Sequence, residues 1–160
     1  MAIKIESTPT IFKPTLDATG YAAGDTLFNV EVINALNKHG NIISTLVQLG
    51  IFWDIADAPE IILYFFHSND GNWGDVGDLP APTFDQRTDL IGVWEVDEDS
   101  QQGYETMKGD NGLDNSYALY TGDLAHFIAK DSVGYIVGVC KTAITTDLTD
   151  KLAITLLVRK

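Results

Sequence analysis

The chain has 160 residues and a net charge of -13 at pH 7, with 45% hydrophobic and 21% charged residues. This length and composition are typical of one globular domain that is large enough to bury a core. Only ten lysines and arginines are present, and they are scattered along the chain. We therefore expect no surface that binds nucleic acid, because neutralising phosphates requires such residues.

Three further features bear on stabilisation and location. The single cysteine excludes an internal disulfide. No segment approaches the roughly 20 apolar residues that cross a membrane as a helix, so no membrane partner is expected. The N-terminal sequence lacks the apolar segment of a signal peptide, which predicts synthesis and assembly in a cytoplasm.

Residues 1–20 are predicted to form an N-terminal arm and an edge strand, ahead of a single domain at 21–160. Ile3 and Ile5 alternate with polar residues, and two prolines bracket the sequence Thr-Ile-Phe-Lys that follows. Proline cannot donate a hydrogen bond to a strand ladder, so such a segment belongs at the edge of a sheet or in an extended arm.

The segment 40–55 is predicted to form a long central strand. From Ile43 onward every second residue is apolar, apart from Thr45, which places an apolar row on one face of a strand. A helix would scatter the same residues around its circumference. Gly50 is expected to mark a bend or a bulge, as a glycine inside a strand often does. The run at 61–67 is predicted to pair with this strand as an antiparallel hairpin.

Strand-like runs separated by turns of Gly, Asp, Asn and Pro make up most of the chain, and none shows helical periodicity over ten residues. The predicted strands cover residues 26–33, 40–55, 61–67, 91–96, 116–120, 124–128, 133–140 and 151–159. We therefore predict an all-β fold, a jelly-roll-like antiparallel β-sandwich with about eight strands and little helix.

The polar connection at 68–82 is the longest stretch without a periodic pattern, and long loops in compact domains often carry function. Its oxygen-bearing residues Asp70, Asn72, Asp75 and Asp78 are weak candidates for calcium ligands. The spacing departs from that of an EF-hand loop, and no glutamate closes it. The simpler interpretation is a solvated turn whose side chains hydrogen-bond to their own backbone.

Trp73 is the large aromatic residue of this polar connection. An exposed tryptophan in a glycine-rich loop stacks on a sugar or anchors a protein contact. The alternative is that the side chain folds back as a lid on the end of the sandwich, because loops usually pack some apolar group of their own. Both alternatives remain open on the sequence.

The sequence contains no motif of a catalytic or metal-binding centre. His39, His67 and His126 are far apart, and none has a partner at the spacing of a zinc site. The acidic run 97–99 follows a strand into a loop, which favours a solvated connection over acid–base chemistry. Cys140 lies in an apolar run and is expected to be a small buried residue. We predict a protein that is not an enzyme and has no cofactor.

Several short motifs, in their order and spacing, resemble a family of tailed-bacteriophage virion proteins, which are small β-sandwich proteins found on or near the capsid. The resemblance covers most of the chain from Tyr21 onward. The motifs that carry it are Tyr21–Asp25, Gly40–Val47, Leu63–Phe66, Leu90–Val93, Val133–Val139 and Thr149–Leu156.

The resemblance implies a structural role as a capsid decoration or cement protein that binds the outer surface of the major capsid protein shell. It further implies a homo-oligomer, with a trimer favoured, located in the virion after assembly in the bacterial host cytoplasm. The arm residues Ile3 and Ile5, the edge residue Phe12 and the loop residue Trp73 are the predicted interaction residues. The alternative is a carbohydrate-binding or adhesion module of a phage head fibre or tail.

Overall fold

The computed structural model describes residues 7–33, 43–55, 59–67, 73, 75–81, 87–97, 105–108, 114–128 and 134–159. Within these ranges nine strands form two antiparallel sheets. The strands are β1 (Ser7–Phe12), β2 (Thr26–Ile33), β3 (Ile43–Asp54), β4 (Ile61–Phe66), β5 (Leu90–Val96), β6 (Glu105–Lys108), β7 (Asp114–Ile128), β8 (Gly134–Cys140) and β9 (Lys151–Arg159). The predicted all-β sandwich is confirmed. No helix in the described ranges is long and apolar enough to cross a membrane.

The strand order is that of a jelly roll. One sheet has the order β1-β9-β3-β7-β6 and the other the order β2-β8-β4-β5. When β6 is set aside, the first strand pairs with the last, the second with the seventh, the third with the sixth and the fourth with the fifth. This is the pairing of one long antiparallel hairpin, and rolling it up places β3 beside β9 and β4 beside β8. β6 adds to the free edge of β7.

The strand count differs from the prediction in three places. The two short strands predicted at 116–120 and 124–128 are parts of the single long strand β7. β6 was not predicted, and β1 was expected only as an edge strand or arm. The predicted hairpin between 40–55 and 61–67 is wrong, since β3 and β4 lie in different sheets. Each of these strands has one buried apolar row, and two such rows face each other across a core as readily as they lie side by side.

The irregularity in β3 lies at Val47 and not at Gly50. In the ladder with β9 the register shifts between Leu46 and Gln48, where β9 advances by only one residue, so Val47 is the extra residue of a bulge in that pair. In the ladder with β7 the extra residues lie in β7, between Thr121 and Ala125. The bulge reverses the alternation, with the result that Leu46 and Leu49 are both buried in the core. Gly50 instead allows a close approach, because a Cβ there would lie 2.5 Å from Thr155 Oγ1. A residue count with a period of two cannot place such a bulge.

The main core lies between the two sheets and contains side chains from both. Its members include Leu27, Phe28, Leu46, Leu49, Ile51, Trp53, Leu63, Phe65, Tyr120, Ile136, Ile154, Leu156 and Val158. A second, smaller cluster of Phe66, Trp73, Val137 and Val139 is separate from it. These β4 and β8 residues alternate with the core residues Phe65, Ile136 and Cys140. The small cluster therefore covers the outer face of the four-stranded sheet.

Candidate functional site

The described part of the long loop is tied to the first residue of β2. Thr26 is fully buried, and its hydroxyl donates to the backbone oxygen of Trp73 at 2.7 Å. The Thr26 amide donates to the carbonyl of Asp78 at 2.8 Å, and the Gly77 amide donates to the carbonyl of Thr26 at 2.9 Å. Three hydrogen bonds on one residue thus hold the loop against the edge of the four-stranded sheet.

The Trp73 side chain is buried on that sheet, with 6% of its surface exposed. The centroid of its ring lies 4.2 Å from that of Phe66 and 6.2 Å from that of Tyr64. Of the two alternatives, the structure therefore shows the ring that folds back, although it covers the outer sheet face and not the end of the sandwich. Trp73 is therefore not an exposed interaction residue, because its ring packs against the apolar outer face of β4 and β8.

Two of the four calcium candidates lie in the described residues, and both belong to a turn. The amide of Asp78 donates to the carbonyl of Asp75 at 3.0 Å, and Gly77 adopts a φ of 87° between them, a conformation that suits glycine. Asp70 and Asn72 lie outside the described residues. In the part of the chain that is described, no three His, Cys, Asp or Glu side chains converge as a metal site would require.

A cavity of about 460 Å³ lies beside Trp73. Its lining includes Ile62, Tyr64, Trp73, Leu90, Val139, Arg87 and Lys141. Burial, followed by the charge of Glu95, raises the pKa of the Tyr64 phenol. Its hydroxyl is therefore protonated at neutral pH. The cavity offers aromatic and aliphatic walls with few polar groups.

Lys141 at this cavity is held by two carboxylates. Its Nζ donates to Asp97 Oδ2 at 2.5 Å and to Glu95 Oε2 at 3.2 Å. These two hydrogen bonds, that to Asp97 first, raise the pKa of the Lys141 ammonium well above its usual range. Because both partners are anionic, the cation is locally compensated and provides little attraction for an anionic ligand.

Cys140 is buried in the main core, as predicted. The pKa of its thiol is raised to about 12, first by burial and second by the negative charge of Asp25. A thiol that stays protonated is a poor nucleophile. The residue therefore serves packing, and it does not react at neutral pH.

Alkaline pH is expected to destabilise the fold through Cys140. The thiol ionises near pH 9 in the unfolded chain but only near 12 in the folded protein. Its stabilisation is thus complete below pH 9 and is lost as the pH rises from 9 to 12, by up to about 1.4 kcal/mol per pH unit. Tyr21, whose pKa is also raised by burial, changes stability in the same direction. Urea unfolding between pH 7 and 11 measures the slope, and Cys140→Ala is expected to reduce it; an unchanged slope in that variant contradicts the assignment.

The predicted interaction residue Phe12 faces inward. It lies opposite Ile154 of β9, which is fully buried, and residues directly opposite one another share a face of the sheet. Its ring meets that of Phe28 edge-on, with the centroids 5.5 Å apart. Ile11, which precedes it, is 63% exposed instead. Sequence alternation identified the edge strand but not the side chain that it presents. Ile3 and Ile5 lie outside the described residues.

A turn at one end of the five-stranded sheet presents a leucine that sequence reasoning missed. Leu148 is 89% exposed, yet its turn is well ordered by hydrogen bonds. Asp147 Oδ1 accepts from the amide and hydroxyl of Thr149, both at 2.6 Å, and Asp150 Oδ2 accepts from the Asp147 amide at 2.8 Å. The bonds from Thr149 hold the pKa of Asp147 below its usual range. The sequence signal for this leucine was its position as an apolar residue inside a polar turn, between Asp147 and Thr149.

The second cavity, of about 480 Å³, lies beside this turn. Its lining includes Lys13, Leu16, Phe52, Trp53, Asp54, Leu148, Lys151 and Ala153. Phe52 is 38% exposed although it belongs to the central strand β3. The outer face of the five-stranded sheet is thus partly apolar, in contrast to the face that Trp73 covers.

Comparison of the chain with family models and with curated proteins finds no match.

Proposed function

We propose that this protein is a structural component of a bacteriophage virion that decorates or cements the capsid by binding the outer surface of the major capsid protein shell. The observation that carries the proposal is the position of β1 at the edge of a jelly roll. In the described part of the chain, β1 has a strand partner, β9, on one side only. Residues 1–6, the predicted arm, immediately precede β1 in the sequence.

Four properties support this function. Jelly rolls are common among viral capsid domains, and the motif order resembles that of phage virion proteins. The net charge of -13 suits a surface that faces away from packaged DNA. An open strand edge is a site at which another chain adds by backbone hydrogen bonds.

The exposed tryptophan that suggested the carbohydrate-binding alternative is buried in the structure. That hypothesis required an exposed Trp73, and the ring packs against Phe66 and Tyr64 with 6% of its surface exposed. A ring so placed offers little area for a sugar to stack on. A glycan array remains the direct check, and specific glycan binding by the wild-type protein would favour this alternative over the capsid proposal.

Deleting residues 2–6 is expected to lower the occupancy of the protein on virions while leaving its fold intact. The deletion stops short of β1, so the melting temperature is expected to change by less than about 2 °C, which corresponds to roughly 0.5 kcal/mol. Cryo-electron microscopy of particles carrying the full-length or the shortened protein measures occupancy, and thermal unfolding measures stability.

A longer deletion provides the control for this experiment. Removing residues 2–8 also takes away the pairs of Ser7 with Arg159 and of Thr8 with Val158, and it is expected to lower both occupancy and melting temperature. Equal occupancy of the protein shortened by residues 2–6 contradicts the role of the arm. A particle map with the protein only in the tail, or in no part of the virion, overturns the proposed function itself.

A further inference from the structure

The outer face of the five-stranded sheet has a neutral centre. Every second residue of β9 lies on this face, while the residues between them are buried. The row reads Lys151, Ala153, Thr155, Leu157 and Arg159. Cations therefore stand only at its two ends, about 26 Å apart for a strand of this length.

The strands beside β9 extend this neutral centre. Ile11 lies opposite Thr155 in β1, and Phe52 lies opposite Ala153 in β3. Leu119 of β7 lies opposite Gly50. A Cβ at Gly50 would lie 2.8 Å from the ring of Phe52, so the ring leans over the glycine and keeps the surface flat. We refer to the surface around Ile11, Phe52, Leu119, Ala153 and Leu157 as the outer face.

The charges of the outer face nearly cancel. Lys13, Lys151 and Arg159 accompany the carboxylates Asp54, Asp147 and Asp150 at its rim, and Glu105 of β6 lies in the same cross-strand row as Phe52. Seven cations and nineteen carboxylates are left for the rest of the chain. Two copies of such an acidic protein repel one another over most orientations, and the repulsion is smallest where each presents a neutral surface.

The rim charges are also separated along the strands. Arg159 stands at one end of the outer face, whereas the three carboxylates lie at the opposite end beside Lys151. Turning one copy by 180° about an axis that lies in the face and is perpendicular to its strands places Arg159 of each copy over the opposite end of β9 in the other. That end carries three carboxylates and the two lysines Lys13 and Lys151, so a net charge of -1 meets the cation. Such an arrangement is self-complementary, as a two-fold contact requires.

We propose that the outer face docks a second copy of this chain, sheet against sheet, in a two-fold dimer. Five strands of this length cover roughly 500 Å² per copy, or about 1,000 Å² in the pair, which is near the lower limit for a specific interface. We therefore expect a weak dimer, in equilibrium with monomers at micromolar concentration. The trimer that the family resemblance implies requires a contact between two different surfaces, and this face does not supply it.

Sedimentation velocity between about 1 and 200 μM tests the dimer. Ile11→Glu is the test variant, because the side chain is exposed and lies on an edge strand, where a charge is tolerated. We expect it to weaken dimerisation at least about tenfold, since each interface contains the substitution twice. Leu148→Glu, on the turn at the rim, is expected to weaken it as well, and it leaves every strand intact.

Leu79→Glu is the matched control. Leu79 is 67% exposed and lies outside the outer face. The substitution adds the same charge as Ile11→Glu, so dimerisation is expected to change less than about twofold. Monomers at every concentration, a trimer, or equal effects of Ile11→Glu and Leu79→Glu each overturn the proposal. The result is independent of the proposed function, because a dimer forms in solution whether or not the protein occupies a capsid.

Discussion

Replacing Trp73 by alanine is expected to lower the free energy of unfolding by about 3–5 kcal/mol, the cost of truncating a buried tryptophan. The ring packs with Phe66, Val137 and Val139 in the cluster on the outer face of the four-stranded sheet. Its loss exposes those side chains to water and leaves a cavity on the sheet. Urea unfolding followed by far-ultraviolet circular dichroism measures the change.

Two further variants separate the ring from the loop that carries it. Trp73→Phe keeps an aromatic side chain in the cluster and is expected to recover part of the stability. Thr26→Val removes the hydroxyl that donates to the Trp73 carbonyl, and leaving that oxygen unsatisfied costs about 1–3 kcal/mol. A Trp73→Ala protein as stable as wild type would show that the ring does not pack on the sheet in solution, and it would restore the exposed alternative.

Gly138→Ala is expected to destabilise the fold by about 1–3 kcal/mol or more, because a methyl group there has no space. A Cβ at Gly138 would lie 2.1 Å from Phe28 Cε1 and 2.6 Å from Phe28 Cζ. Phe28 lies opposite Gly138 in the ladder between β2 and β8 and is buried in the main core. The ring cannot withdraw without displacing its neighbours, which include Phe12.

A double-mutant cycle tests whether this contact is the cause. Phe28→Leu shortens the side chain, so the methyl group of Gly138→Ala is expected to cost less in the Phe28→Leu background than in the wild type. We expect a coupling free energy of about 1 kcal/mol or more between the two positions. Urea unfolding of the four proteins measures it, and strictly additive costs would show that the alanine acts through the backbone and not through the ring.

The alternation of apolar residues was sufficient to predict the fold class and the strands at its centre. In β3, Leu49, Ile51 and Trp53 all face the core of the sandwich, as a period of two requires. These features are local, because the side-chain alternation along one strand determines which residues share a face.

The same alternation does not predict which strands pair with one another. An apolar row on one strand can be buried beside a neighbour in the same sheet or against a strand across the core. The placement of β3 and β4 in different sheets therefore depends on the topology of the whole chain. The bulge at Val47 appears in the register with β9. No count of residues within β3 reveals it.

The surfaces were decided by tertiary structure for a related reason. The sequence by itself determined that Trp73 lies in a polar loop and that residues 1–20 suit an arm and a sheet edge. Only the fold showed that β4 and β8 leave an apolar outer face for the Trp73 ring to cover, and that Phe12 faces inward while Ile11 faces out. Burial is a property of both partners in a contact, and the sequence around one residue does not specify the surface that meets it.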